Sequence, residues 1–346
     1  MIKRKVTVAL SGGVDSSVAA LLLKQAGYEV TGIHMRLWDS PQSEYQAQRA
    51  EDVSRILGIP YHQIDLRKEF HRCVVDYFCQ EYQQGRTPNP CVFCNRYVKF
   101  GSLLDKALSL GADYLATGHY ARVEYSQTRH RLLKAADARR DQSYFLYTLT
   151  QEKLEHILFP LGEHSRDEVK RIAKQAGLPV ATRSSQDICF ISEKNYASFL
   201  SRRFAALPGD IVDSRGKKLG QHRGIAFSTI GQRHGLGVAS GKPLYVTRIE
   251  PESNTIVLGP EEELYSQKLT ARNVSWISGQ APEQPTTVSA KIRYKSKEAE
   301  ATVFPHGDFL EVHFAQPQKA VTPGQAIVFY NMDEVLGGAI IASAER

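Results

Sequence analysis

No apolar run in these 346 residues approaches the roughly 18 that a membrane-spanning helix needs, so a helical membrane protein is excluded. No secretory leader is expected either, since Met1-Ile2-Lys3-Arg4 runs straight into a strand-like segment, and a cytoplasmic location is the expectation. Cysteine is scarce and odd in number. The five residues Cys73, Cys79, Cys91, Cys94 and Cys189 argue against a disulfide framework and leave chemistry, metal or burial as their uses. There is neither an internal repeat nor a low-complexity segment. Acidic residues are outnumbered, 37 to 44, and the net charge of +7 favours an anionic partner such as nucleic acid, though many basic enzymes touch none. What is present, 42% hydrophobic and 23% charged residues, belongs to a soluble globular chain long enough for two or three domains.

From Lys5 to about Gly118 strand-like and helix-like segments alternate. Lys5–Leu10 reads as a strand, Asp15–Gln25 as a helix, Tyr28–Met35 as a strand and Tyr45–Leu57 as a helix. Tyr61–Asp65 is extended and Lys68–Tyr82 helical. Arg86–Asn95, with Pro88 and Pro90, breaks the rhythm before a helix at Tyr97–Leu110 and a strand at Asp113–Thr117. Such alternation implies a mainly parallel sheet with helices on both faces. Ser165–Glu168 has capping-box spacing ahead of a helix at Val169–Gln175, and Arg183–Phe190 is a polar connection. After about Ala206 Gly-rich turns separate short strands. Period-two alternation in Val288–Tyr294, Ala299–Phe304, Phe309–Phe314 and Ala326–Tyr330 points to a small barrel. The expected architecture is α/β: a Rossmann-like domain at 1–198, a small central connecting domain at 199–266 and a C-terminal β-barrel at 267–346.

Ser11-Gly12-Gly13-Val14-Asp15-Ser16 joins the first strand to the first helix. A glycine-rich turn there gathers backbone N–H groups and a helix N-terminus into an anion site. Asp15 is a candidate for holding Mg²⁺ near phosphates, or for capping the helix. An ordinary Gly-rich turn is the bland alternative. The string lacks the lysine of a Walker loop and resembles instead the pyrophosphate loop (PP-loop) of the N-type ATP pyrophosphatases. That resemblance implies cleavage of ATP to AMP and pyrophosphate, with AMP attached to a substrate oxygen. It does not choose the acceptor.

Cys91-Val92-Phe93-Cys94 lies in the proline-stiffened segment, and Cys189 follows in Ser185-Gln186-Asp187-Ile188-Cys189-Phe190-Ile191. Thiolates carry sulfur as persulfides, and facing cysteines exchange disulfides. A lone Cys-x-x-Cys also makes half a zinc site, but no second one exists to complete it. Cys73 and Cys79 read as buried structural thiols.

With Gly85–Pro90, Cys94-Asn95, Lys99-Phe100, Ala116–Tyr120, Asp141–Tyr147, Ile188–Ile191, Gly231–Gly237 and Thr322–Gln325, these strings resemble the tRNA-specific 2-thiouridylase (MnmA/TrmU) family over essentially the whole chain. The resemblance implies ATP-dependent conversion of the wobble uridine of tRNA to 2-thiouridine, with tRNAs for Lys, Glu and Gln as acceptors and a cysteine desulfurase or sulfur-relay protein as donor. It implies that Cys189 carries the persulfide and Cys94 is the second catalytic thiol, ending in a Cys94–Cys189 disulfide. Ala9, Leu10, Ser11, Gly12, Gly13, Val14, Asp15 and Ser16 would hold ATP, with Met35 and Gly118 framing its nucleoside. Asn89, Pro90 and Cys91 align with the segment that meets the target base. His119, Arg140, Asp141, Gln142, Arg293, Tyr294 and Gln325 align with tRNA-contacting positions. His119 alternatively reads as a packed strand-end histidine, Arg140 as a solvated charge, Asp141 as a helix cap, and Arg293 with Lys295 as an exposed strand face.

Cys91 departs from the family's usual Asp, a proposed general acid/base. Either Cys91, Cys94 and Cys189 hold a [4Fe–4S] cluster that carries sulfide, or Cys91 is a spare thiol beside a persulfide mechanism. A small-molecule PP-loop ligase and a non-catalytic RNA-binding module are the rival functions. The first leaves the cysteines unexplained and the second leaves the phosphate loop idle.

Overall fold

The computed structural model of the chain describes residues 3–126, 128–179, 188–191 and 196–345. The first layer follows from the alternation. Strands β1 (Lys5–Ala9), β2 (Glu29–Arg36), β3 (Tyr61–Asp65) and β4 (Tyr114–Ala116) pair in parallel. A hairpin of β5 (Ala121–Ser126) and β6 (Arg129–Lys134) follows, and β7 (Ile157–Leu158) completes the sheet in the order β3-β2-β1-β4-β7. Both faces of β1 are covered. Val6 and Val8 face one core with Val14 and Val18, while Ala9 joins Ile33, Phe70 and Leu115 in the other. The strand order reverses between β1 and β4. In open α/β sheets ligands bind beyond the carboxyl ends of the strands at such a switch point.

Helix α1 (Val14–Gln25) begins where the glycines end, as predicted. Helix α2 (Pro41–Leu57) starts a turn earlier than its apolar pattern suggests. Ser40 caps it by accepting from the Ser43 N–H at 3.1 Å, and Pro41 sits at the first helical position, where its fixed φ suits the helix. Residues 67–83 are helical throughout, with wide π-type turns at His71–Val75. The expected break at Arg86–Asn95 is only half right. Pro90 opens a helical run that continues to Ser109, through π-type turns from Cys94 and a kink at Phe100 and Gly101. The capping box at Ser165 and Glu168 is formed and opens the helix Arg166–Gln175. Most of Arg183–Phe190 lies outside the described residues.

The central unit pairs β8 (Gly209–Asp213), β9 (Lys218–His222), β10 (Tyr245–Glu250) and β11 (Thr255–Gly259) in the order β10-β11-β8-β9. The last six strands are β12 (Tyr265–Trp276), β13 (Thr286–Lys291), β14 (Ala299–His306), β15 (Phe309–Lys319), β16 (Ala326–Asn331) and β17 (Glu334–Glu345). They run β12-β15-β14-β13-β16-β17, and β12 pairs with β17 to close a barrel around Leu269, Val303, Val312 and Phe329. Arg293–Ser296 forms a turn after β13, held by the Ser296 N–H to the Arg293 carbonyl at 3.1 Å; it is not the exposed strand face the alternation suggested. Contact with the first domain is direct. β6 pairs with β17 through Leu133 and Glu334, and Glu334 forms an ion pair with Arg129 at 2.7 Å and accepts from Arg131 at 2.9 Å.

Candidate active site

The phosphate loop is set by short-range geometry. Gly12 has φ of +73°, and a Cβ there would lie 2.5 Å from the Gln46 carbonyl oxygen, so only glycine fits. Ser16 Oγ accepts from the Ser11 N–H at 3.1 Å and donates to the Gly13 carbonyl at 3.1 Å, which folds the loop onto the start of α1. Ser17 donates to the same carbonyl at 2.9 Å. Gly118, just past β4, presses on this turn: a Cβ there would stand 2.7 Å from the Ser16 nitrogen. Asp15 is already engaged. Its Oδ1 accepts from Tyr120 Oη at 2.9 Å and from Arg166 Nη1, which the capping box of the last helix of this domain positions.

The thiol site is assembled from distant segments. The Thr87 N–H donates to the Pro323 carbonyl at 2.9 Å, and Gln325 Nε2 donates to the Thr87 carbonyl at 2.9 Å and the Pro88 carbonyl at 3.3 Å. A barrel loop thus clamps the proline segment that leads into Cys91. Asn95 Nδ2 donates to the Phe145 carbonyl at 3.1 Å and ties the helix to the segment after β6. Cys189 sits in a turn closed by the Ile191 N–H to the Ile188 carbonyl at 3.0 Å. Its neighbour Phe190 is anchored among Trp38, Phe70, Phe78 and Phe199, with ring centroids 5.2–6.1 Å away.

Cys94 is buried, whereas Cys91 and Cys189 reach solvent. Protein atoms nevertheless crowd all three sulfurs, so lost hydration outweighs the nearby charge of Lys99. Burial pushes the Cys94 thiol up to about 12 and the Cys189 thiol up to about 11, and Cys91 also moves up. Cys91 and Cys189 each raise Cys94, and Cys91 raises Cys189, so the three thiols share one electrostatic neighbourhood. Cys73 and Cys79 are half-buried and stand apart from it, packed against the core of the first domain.

Between the two sites lies His119, only 8% exposed. Its Nδ1 meets Thr117 Oγ1 at 2.7 Å and its Nε2 meets Lys99 Nζ at 3.4 Å. Burial, with the Lys99 charge beside it, drives its pKa well below the usual histidine range, so the ring is neutral at pH 7. Among the described residues, no three His, Cys, Asp or Glu side chains gather closely enough to hold a metal ion.

Three family models match the chain: a tRNA methyl transferase HUP domain over residues 4–193, a tRNA methyl transferase PRC-barrel domain over 197–260, and an aminomethyltransferase β-barrel domain over 266–341. The chain is 48% identical to the tRNA-specific 2-thiouridylase MnmA 1 of Caldanaerobacter subterraneus subsp. tengcongensis, covering 100% of both. It is 48% identical to the MnmA of Acetivibrio thermocellus over 99% of this chain and 100% of that one, and 46% identical to that of Clostridium perfringens over 99% of each. The chain belongs to the tRNA-specific 2-thiouridylase family. A solved structure of the U34-tRNA thiolase NcsA from Methanococcus maripaludis with its [4Fe-4S] cluster is 20% identical over 58% of this chain and 64% of that one. Its TM-score of 0.36 is too low to carry any property across.

The residues that the 2-thiouridylase resemblance marks for tRNA fall into two groups. Arg140 is half-exposed and Arg293 exposed, its guanidinium donating to the Lys319 carbonyl at 3.3 Å. Tyr294 packs its ring 4.5 Å from Phe145, within electrostatic range of Cys91, Arg140 and Asp141. The others are committed internally. Asp141 accepts from the Ala135 and Ser143 N–H groups, each at 3.1 Å, which makes it a local turn cap. Gln142 accepts from the Tyr120 N–H at 3.0 Å, and Asn89 and Pro90 are buried. Met35 lies half-buried on β2, next to the crevice.

Three neighbours were given no role by the sequence: Lys99, Tyr120 and Arg166. Lys99 is five residues beyond Cys94, off its face in an α-helix. In π-type turns the step is i→i+5, which sets the two a single turn apart.

Proposed function

We propose that this chain transfers sulfur to carbon 2 of the wobble uridine of tRNA, using ATP to activate oxygen 2. The observation that carries this reading is the junction itself. Three thiols from two distant segments lie within electrostatic range of Lys99, which meets His119, next to the Gly118 that seats the phosphate loop.

Uridine oxygen 2 attacks the α-phosphate of ATP, which enters with Mg²⁺, and pyrophosphate leaves. The N–H groups around Ser11–Ser16 offer donors to the phosphates, and the α1 N-terminus favours their charge. Arg166, now on Asp15, is within reach to move onto a phosphate. The terminal sulfur of a Cys189 persulfide then attacks carbon 2, and AMP departs with oxygen 2. Cys94 attacks Cys189 Sγ. The sulfur–sulfur bond breaks, its electron pair stays on the sulfur now double-bonded to carbon 2, and a Cys94–Cys189 disulfide forms. A thiol reductant restores both cysteines for the next turnover.

Asn89, Pro90 and Cys91 flank the place a flipped uridine would occupy. Arg140 and Arg293 suit backbone phosphates, and the Tyr294 ring suits a splayed base. By family, the acceptors are tRNAs for Lys, Glu and Gln, and the donor is a desulfurase or sulfur-relay protein in the cytoplasm. No described helix is long and apolar enough to cross a membrane. Incubation with unmodified tRNA, ATP, Mg²⁺ and sulfide or a persulfide donor tests the reading, with thiolated nucleoside as the expected product. AMP formation without RNA would point to a small-molecule ligase, and RNA binding without AMP to a passive module.

A further inference from the structure

Lys99 stands where the reaction above needs a charge and gives it none to do. It is half-buried on the helix that carries Cys91 and Cys94, immediately before the kink at Phe100 and Gly101. Among the described residues no carboxylate lies within ion-pair distance of its nitrogen, although most buried or half-buried charges are paired. Among the described residues its side-chain hydrogen-bond partner is His119, at 3.4 Å.

That neighbour fixes its direction without cancelling its charge. For Lys99 Nζ to donate to Nε2, the imidazole proton must sit on Nδ1, from which it donates to Thr117 Oγ1 at 2.7 Å. Burial keeps the ring neutral. A carboxylate in this place would neutralise the lysine; a neutral acceptor aims it and leaves its field intact. All three thiols of the cleft feel that field, and its sign favours their anions.

We propose that Lys99 is the cation that holds anionic sulfur in the cleft during transfer, with His119 and Thr117 as positioning residues that aim it. The inference rests on the sulfur-transfer reading above and adds a residue to it. A persulfide or thiolate produced in crowded, poorly hydrated surroundings needs a fixed positive charge nearby, and an oriented charge in such a site is worth far more than one in water. Lys99 therefore acts after adenylation, on the sulfur step.

The test separates those steps in the full-length protein. Wild type, Lys99→Met and Lys99→Arg are given unmodified tRNA and ATP, first without a sulfur donor to read the tRNA-dependent burst of pyrophosphate. A persulfide donor is then added to read thionucleoside in a single turnover. The expected result for Lys99→Met is a burst within about threefold of wild type and a sulfur step slowed about 100-fold, the scale of losing one preorganised donor. Lys99→Arg, which keeps the charge, should recover at least about tenfold of that loss. The retained burst also shows that the variant is folded.

Burst and sulfur step lost in equal proportion would place Lys99 on the phosphates and overturn the inference. So would thiolation kept within about threefold in Lys99→Met, or no recovery in Lys99→Arg. A wild-type chain that makes no thionucleoside would instead overturn the underlying function, and this inference with it.

Discussion

The phosphate loop and the thiol cleft adjoin, yet they are built in opposite ways. The loop is contiguous: Ser11, Gly13, Ser16 and Ser17 bond to one another, and Gly12 takes the positive φ that the turn demands. Its shape is nearly complete without help from afar. The cleft is composite. Cys91 and Cys94 come from a helix opened by Pro90, Cys189 from a turn anchored by Phe190, and the proline segment is clamped by the barrel through Pro323 and Gln325. The loop's hydrogen bonds are local, whereas the groups of the cleft are carried on elements that touch only after folding.

The comparison can be broken at either side. Cys189→Ser should give the largest effect, a loss of at least about 10³-fold in thiolation with the pyrophosphate burst intact, since no other thiol has its position. Nucleoside analysis beside a pyrophosphate assay reads both. A Cys189→Ser protein that still thiolates from a persulfide donor would remove the composite site from the argument.

Gly118→Ala attacks the other side. Its Cβ would sit 2.7 Å from the Ser16 nitrogen, so the loop must shift. The burst should fall about 100-fold while alkylation of Cys189 keeps its wild-type rate, because a misplaced phosphate contact costs positioning rather than sulfur chemistry. Equal damage to both would mean that the two sites are one mechanical unit.

The thiols sharpen the comparison through pH. Folding holds their protons more tightly than the unfolded chain does, so each is neutral at pH 7 and its thiolate fraction grows with pH. Alkylation of Cys189 in the ATP-free protein should climb about tenfold per pH unit and reach no plateau below about 11. The same sign makes the fold lose stability as pH rises from the ordinary thiol value of 9.0 towards about 11. A plateau near pH 8 would show that a charge other than Lys99 reaches this sulfur.

The smallest effect belongs to the clamp. Gln325→Ala removes two hydrogen bonds to Thr87 and Pro88, worth about 1 kcal/mol net. Hydrogen exchange across residues 86–95 should speed about fivefold, with the phosphate loop unchanged. No change there would mean that the proline segment holds itself.

Legibility followed the same division. Strand–helix alternation, the glycine turn and the period-two barrel strands could be read from residues 5–118 and 269–330, because each is a short-range pattern with its own period. The helix start at Pro41 and the turn at Arg293 were misread, since capping and a local Ser296 bond overrode the apolar spacing. Lys99 was marked only as part of the resemblance and given no role, because an α-helical period assigns it to the wrong face; Arg166 was given none because its partner Asp15 is 151 residues away.

By itself the sequence determined the glycine turn between the first strand and the first helix, the parallel sheet behind it, and the barrel. Only the tertiary structure decided that Lys99 stands beside His119 within electrostatic range of three thiols, that Arg166 covers Asp15, and that the barrel grips the proline segment. The reason is range. A glycine's backbone freedom or a strand's alternation acts over a few residues and is written there, whereas the field of a charge acts on whatever folding brings near it.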